Sequence, residues 1–294
     1  MLSAPTTEKG GSGLKVLYHK NCADGITAAA IVKYYFSFPL EKNEQVVCIP
    51  MSHGATVSFD EIEADEEVYI VDFAFSCPDE MDKLLSITQN VTWIDHHKTS
   101  IEKYKKYSKL KGSRNIDRCG AYLTWKYLFE DFLVPEVVRY VDDHDRAAGL
   151  MVESDVFVQG LLLYSGLTPN NDKFWNKVLT GSPEKMDKII DAGNILEANS
   201  DMWRREAKTY RAEFSGLNFL VMNKPGNSKA FKYVDDGTCE GLMLWTYDGS
   251  QYMYSLYQGK LGKKLGTDMS VIAASYGGGG HPGAAGFVSK RPII

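Results

Sequence analysis

The sequence predicts an α/β protein in two parts: a larger N-terminal parallel sheet with helices on both faces, and a smaller C-terminal α/β region with a mixed sheet. Three observations predict it. Short apolar runs alternate with helix-length segments through the first half, and strands that alternate with helices pair in parallel beneath a helical cover. A polar, helix-patterned stretch then runs from about Asn170 to Glu213. Beyond it the apolar runs are separated by turn residues, as in antiparallel strands.

The elements follow in order. The opening MLSAPTTEKGGSG has no hydrophobic run and no arginine, so residues 1–13 are expected to be a flexible tail with neither a secretory signal nor a mitochondrial address. LKVLYH reads as a buried strand, GITAAAIVKYYF as a helix, VVCIP and VYIVDF as strands, PDEMDKLLSITQ as a helix and VTWI as a strand. CGAYLTWKYLFEDF is an amphipathic helix, and PEVVRYVDDHD a short helix that runs into acidic residues. DKFWNKVL, EKMDKIIDAGNILEAN and MWRREAKTYRAEF are expected as helices. LNFLVMN, GLMLWTY and QYMYSLYQ are expected as antiparallel strands, the last two joined by the turn residues DGS. DMSVIAASY is a helix, GGGGHPGAAG a glycine-rich loop and GFVSK a final strand. The expected divisions are a tail at 1–13, an N-terminal domain at 14–198, a helical connector at 199–215 and a C-terminal domain at 216–294.

Bulk properties narrow the function. The 294 residues suffice for two packed cores, and no apolar run approaches the roughly 20 residues that span a bilayer. Five scattered cysteines, Cys22, Cys48, Cys77, Cys119 and Cys239, form no CxxC pair. That argues against a disulfide framework or a structural zinc site, and for a reducing, cytoplasmic setting. A net charge of −5 disfavours wrapping of long nucleic acid, yet allows a short nucleotide held by metal and a few cations. A homodimer is left open.

Four motifs carrying acids or histidines end predicted elements: His19 with Asp24, then Asp72, then Asp95-His96-His97, then Asp142-Asp143-His144-Asp145. In a parallel sheet, ligands bind beyond the carboxyl ends of the strands, so these groups are expected at one edge. Crowded carboxylates repel unless cations sit between them. Mixed oxygen and imidazole donors suit Mn²⁺, Fe²⁺, Co²⁺ or Mg²⁺. Two such ions activate a shared water and neutralise a phosphoryl group. Adjacent His96 and His97 point to opposite sides of an extended backbone, so they can serve different tasks.

In order, HKNCADG, VDFAF, IDHHKT, VDDHD and GGGGHPGAAG resemble the successive motifs of the DHH phosphoesterase superfamily, in its RecJ-like and nanoRNase-like branch with a C-terminal DHH-associated domain. The resemblance covers nearly all of the chain after the tail. It implies a catalytic domain at 14–198, a substrate-binding domain at 216–294, and a pair of divalent ions, usually Mn²⁺ with Mg²⁺ or Co²⁺ as alternatives. It implies hydrolysis of phosphoester bonds in short oligonucleotides or related nucleotides. It also implies His19 and Asp72 as ligands of one ion and Asp24, Asp72, His96 and Asp143 as ligands of the other, with Asp72 bridging. Asp95 would orient His96, and His97 would face the substrate phosphate. Gly278, Gly279, Gly280 and His281 would grip the nucleotide.

One position departs from the pattern. Many members have Asp-x-Asp in the first motif, where this chain has Cys22-Ala23-Asp24. Cys22 either ligates a softer metal as a thiolate or stays a thiol and leaves that site one ligand short. Lys98, Arg114 and Arg118 are candidates to neutralise phosphate, each also readable as a surface charge. Taken singly, Asp24 reads as a helix cap, Asp72 as a loop acid and the glycine run as a turn. Other activities of the same centre are a nucleotide phosphomonoesterase acting on 3′,5′-bisphosphates and a cyclic dinucleotide hydrolase. Cys22 also allows a catalytically weakened nucleotide-binding module.

Overall fold

Three apolar segments buried on both sides and one half-buried edge segment make the sheet that carries the acidic motifs. The computed structural model describes residues 13–37, 45–52, 58–166 and 168–294. The expected tail up to residue 12, and His53, lie outside the described residues. The chain divides into two compact units, Met1–His96 with Ser100–Leu196, and His97–Thr99 with Glu197–Ile294.

The first unit opens with strand β1 (Leu14–His19), helix α1 (Ala23–Phe36), β2 (Val46–Met51), β3 (Glu67–Val71), α2 (Pro78–Ile87) and β4 (Val91–Ile94). The strands pair wholly in parallel in the order β2-β1-β3-β4. Successive side chains on a strand point to opposite faces, and here both faces are buried. Leu14, Val16, Tyr18, Tyr69, Val71 and Ile94 pack with α1, while Leu17, Val68, Ile70, Val91 and Trp93 pack with Met81 and Leu84 of α2. The sheet is therefore covered on both sides, as expected.

Helices α3 (Lys98–Lys103), α4 (Gly120–Leu128), α5 (Glu136–Asp145), α6 (Ser154–Ser165), α7 (Asp172–Leu179) and α8 (Pro183–Arg205) follow. Helices α3 and α6 have no counterpart among the expected elements. The expected EKMDKIIDAGNILEAN and MWRR helices are one 23-residue helix. Arg204 ties it along one face, reaching Glu197 at 2.6 Å and Asp201 at 2.9 Å.

The second unit holds β5 (Tyr210–Phe214), β6 (Leu217–Asn223), β7 (Gly241–Tyr247), β8 (Tyr252–Gln258), α9 (Lys260–Leu265), α10 (Met269–Ser275), β9 (Gly279–His281) and β10 (Ala284–Ser289). They form one mixed sheet in the order β5-β6-β7-β8-β10-β9. Three expectations are corrected here. YRAEF is strand β5, not helix, because Ser215 and Gly216 both take positive φ (52° and 76°) and turn it back onto β6. Strands β6 and β7 run parallel. Their connection buries Ala230, Phe231 and Cys239 against Leu220, Met222, Leu242 and Leu244. The glycine-rich segment is a β9–β10 hairpin, not an open loop. β7 and β8 are antiparallel as expected.

Candidate metal centre

Three strand ends of the first unit deliver the polar groups. β1 ends at His19, and Asn21, with φ 58°, turns the chain into α1, whose second residue is Asp24. Gly25 lets this helix start lie against the strand end, since a Cβ there would fall 2.3 Å from the carbonyl oxygen of His19. Asp72 directly follows β3 with φ 50°. Its amide donates to the Ile94 carbonyl of β4 at 3.0 Å. Asp95 and His96 directly follow β4. Asp24, Asp72, Asp95 and His96 are each at most 2% exposed, which for four polar residues demands partners.

His96 is the hub. Its Nε2 lies 3.2 Å from Asp72 Oδ1, 3.4 Å from Asp24 Oδ2 and 3.6 Å from Asp145 Oδ2. His19 Nδ1 lies 3.6 Å from the other oxygen of Asp72. Asp24, Asp72 and His96 each offer a donor atom, all within 4.8 Å of one another, and so do His19, Cys22 and Asp72. Asp72 thus belongs to both groups, with one oxygen toward each histidine.

The charge balance is strained without a cation. Burial, with the carboxylates of Asp72 and Asp145, holds Asp24 well above the usual carboxylate range. Burial opposes a charged ring on His96, but the hydrogen bond to Asp72 and the charges of Asp24, Asp145 and Asp72 push it up to about 10. Burial and the same three acids hold the Cys22 thiol well above its ordinary value. A proton on His96 therefore stands where positive charge is required. Divalent ions fit this donor set: oxygen, imidazole and one thiol, with carboxylates in excess. His19, Cys22 and Asp72 would hold one ion, and Asp24, Asp72 and His96 the other.

The remaining expected residues are placed as follows. Asp95 Oδ1 accepts from the backbone N–H of His96 at 2.8 Å. In the acidic run, the carboxylate that reaches the His96 ring is that of Asp145; Asp143, expected as a metal ligand by the resemblance, stands two residues earlier on α5. Asp143 is buried, with Oδ1 accepting from the Leu150 amide at 2.7 Å and Oδ2 without a hydrogen-bond partner among the described residues. Arg118 donates to Asp142 at 2.7 Å and lies over the Tyr122 ring. Arg114 donates to four backbone carbonyls, those of Trp93, Lys111, Ser108 and Leu110, so its guanidinium is engaged in holding the loop after β4. Lys98 is exposed. His144 pairs with Asp155 at 2.6 Å.

In the second unit the His97 and His281 rings stack with centroids 5.4 Å apart. The Gly278 amide donates to the Ala273 carbonyl at 2.9 Å, and Gly279 and Gly280 pair with Gly286 and Ala285. This hairpin thus commits backbone groups that an open anion-binding loop would leave free. Asp145 and Asp142, named in the acidic motif without a role of their own, are the residues that reach His96 and the Cys119 amide. Asp142 continues the buried stripe of Val138 and Val141 at helical spacing on α5, and Asp145, half-buried, lies one turn beyond Val141.

No protein-family model matches the chain. Over 293 residues it is 27% identical to an uncharacterized protein of Acanthamoeba polyphaga mimivirus, a match that takes in 92% of this chain but only 66% of the relative's length. Among solved structures, it is similar to the DHH domain of a protein described as a member of a family of ribosomal proteins. That match has a TM-score of 0.61 and 12% identity, over 95% of this chain and 83% of the other. It is also similar to a pGpG-specific phosphodiesterase from Vibrio cholerae, with a TM-score of 0.52 and 12% identity over 95% of this chain and 93% of the other. An all-parallel four-stranded sheet with helices around it and a mixed six-stranded sheet, together with these likenesses, give this chain the fold of the DHH-domain proteins.

Proposed function

We propose that the protein is a metal-dependent phosphoesterase that hydrolyses short oligonucleotides or related nucleotides to mononucleotides. The observation that carries this reading is Asp72, which turns one oxygen toward His96 and the other toward His19, the arrangement a ligand shared by two cations requires. A pair of divalent ions, Mn²⁺ by the family resemblance, would supply an activated water and neutralise phosphoryl charge. The protein's own part is orientation. Asp24, Asp72 and His96 sit on strand and helix ends fixed by the sheet, and Asp95 holds the His96 backbone. Asp145 is the carboxylate of the acidic run proposed to complete the second set. His97 and His281 are proposed to bind phosphate oxygens, and Gly278, Gly279 and Gly280 to line the nucleotide. Arg118 stands as an auxiliary cation.

The test is direct. Protein with Mn²⁺, Mg²⁺ or Co²⁺ is incubated with di- to pentanucleotides, pGpG, a cyclic dinucleotide and a 3′,5′-bisphosphate nucleotide. Mononucleotide release from the short linear substrates is the expected result. Cleavage of the bisphosphate or the cyclic substrate alone would select the alternative activities, and no cleavage of any phosphoester with any of the three metals would exclude the reading. Cys22 motivates a second reading, a weakened nucleotide-binding module. Its thiol lies with His19 and Asp72 yet is held protonated by burial and neighbouring acids. Binding without turnover in the native protein, with turnover gained in Cys22→Asp, would favour it. The cytoplasm is the proposed location, in keeping with five free cysteines. Among the described residues no helix is long and apolar enough to cross a membrane.

A further inference from the structure

Three successive amides at the start of α4 each donate to a carboxylate of the centre or its border. Cys119 N–H reaches Asp142 Oδ1 at 2.9 Å, Gly120 N–H reaches Asp24 Oδ2 at 2.6 Å, and Ala121 N–H reaches Asp24 Oδ1 at 2.6 Å. The first amides of a helix have no partner within it, so α4 spends two of them on the two oxygens of one buried acid. Position 120 decides how close this turn can come. A Cβ on Gly120 would lie 2.8 Å from Asp72 Cβ and 3.0 Å from Asp24 Oδ2. Real Cβ atoms do not approach a neighbour so closely, so something would have to shift.

Neither neighbour yields easily. Asp72 is held by the hydrogen bond its N–H donates to the Ile94 carbonyl, in a left-handed backbone conformation. Asp24 lies on α1, among residues that are buried from Ala23 through Val32. The helix start is itself braced, because Thr124 Oγ1 donates to the Gly120 carbonyl at 2.8 Å and Asp142 holds the Cys119 amide.

We propose that Gly120 is a positioning residue that sets the separation of Asp24 and Asp72, with the α4 amides fixing the angle of the Asp24 carboxylate, so that the two acids receive one divalent ion. The inference rests on the phosphoesterase reading for the use of that ion, but its test is metal binding, not turnover.

The full chain, stripped with chelator, is titrated with Mn²⁺ by calorimetry, and the bound Mn²⁺ is examined by electron paramagnetic resonance. Gly120→Ala is expected to keep the helical circular dichroism of the metal-free protein, to bind one Mn²⁺ at least ~10-fold more weakly, and to lose the spin coupling of a close Mn²⁺ pair. Ala121→Pro removes one amide from Asp24 without adding a Cβ at position 120, in the helix's first turn where proline is tolerated. It is expected to weaken the same ion and serves if Gly120→Ala fails to fold. Unchanged Mn²⁺ affinity and coupling in the folded variants would overturn the inference while leaving the phosphoesterase reading intact. Native protein that binds no Mn²⁺ would overturn it as well. Weakened binding in a protein whose native form cleaves no phosphoester would uphold the inference and sink the reading.

Discussion

Asp72 takes a backbone conformation, φ 50°, that residues with side chains rarely adopt, and it does so where its carboxylate faces two histidines. Strain of this kind persists where surrounding structure enforces it, and here the sheet does so through the Ile94 carbonyl. Replacement with alanine removes a donor from both proposed ions at once. Asp72→Ala is expected to lower kcat by at least ~100-fold and to cut bound Mn²⁺ by more than any other single ligand change; metal analysis beside a turnover assay checks it, and undiminished activity would remove the bridging role. The acidic run offers a sharper comparison. Asp145→Asn is expected to weaken Mn²⁺ binding by ~10- to 100-fold, and Asp143→Asn to act mainly on stability through the Leu150 amide. The reverse ranking in a metal titration would assign the ligand role to Asp143 instead. Most of this centre was legible in the sequence because His19, Asp24, Asp72, Asp95 and His96 end strands or open a helix, where direction follows from the element. The acidic run was not, because Asp143 and Asp145 point about 200° apart around the helix and each stands at helical spacing from buried residues, Asp143 from Tyr140 and Asp145 from Val141 and Asp142.

At the scale of elements, the parallel sheet was readable because strands buried on both faces are near-continuous apolar runs. Strand β5 hid behind helix-favouring composition, EAKTYRAEF, and its real signal was the Ser215-Gly216 turn. The glycine hairpin hid for the opposite reason, since a run of glycines reads as loop whatever it pairs with. The element that most needs support is the segment after β4, which carries the paired histidines and returns to pair at Asp95↔Arg114. Arg114 closes it with four hydrogen bonds to carbonyls and a guanidinium 5.5 Å from the Trp93 ring. Arg114→Ala is expected to cost about 2–4 kcal/mol in urea unfolding, on the scale of charged hydrogen bonds left unmade. Arg114→Lys is expected to recover little of it, because an ammonium lacks the planar fork. A loss within experimental error would mean that the loop is held by its apolar contacts alone.

For the whole molecule, the centre places a pH dependence on stability that reverses with metal. Among the imidazole and carboxylate groups of the metal-free centre two shifts point upward: His96 from 6.5 to about 10, and Asp24 well above 3.8. A group whose pKa is raised by folding stabilises the folded state below its unfolded value, and that contribution is lost as pH rises through the folded value. Protonated His96 therefore supports the metal-free fold fully below pH 6.5 and progressively less up to about pH 10. Asp24 adds a loss of the same sign that begins above pH 3.8. A bound divalent ion needs both groups without their protons, so binding releases protons and strengthens with pH. It also stabilises the fold by mass action, by about 2.7 kcal/mol at a hundred times Kd. The melting temperature in chelator is thus expected to fall between pH 6 and 8.5, while the increment given by saturating Mg²⁺ or Mn²⁺ widens over the same range. His96→Gln is expected to flatten the chelator curve and shrink the increment together, because the residue that carries the proton is the one that would carry the metal. A chelator curve that rises with pH, or an increment that narrows, would show that His96 and Asp24 are not the charges that govern this centre.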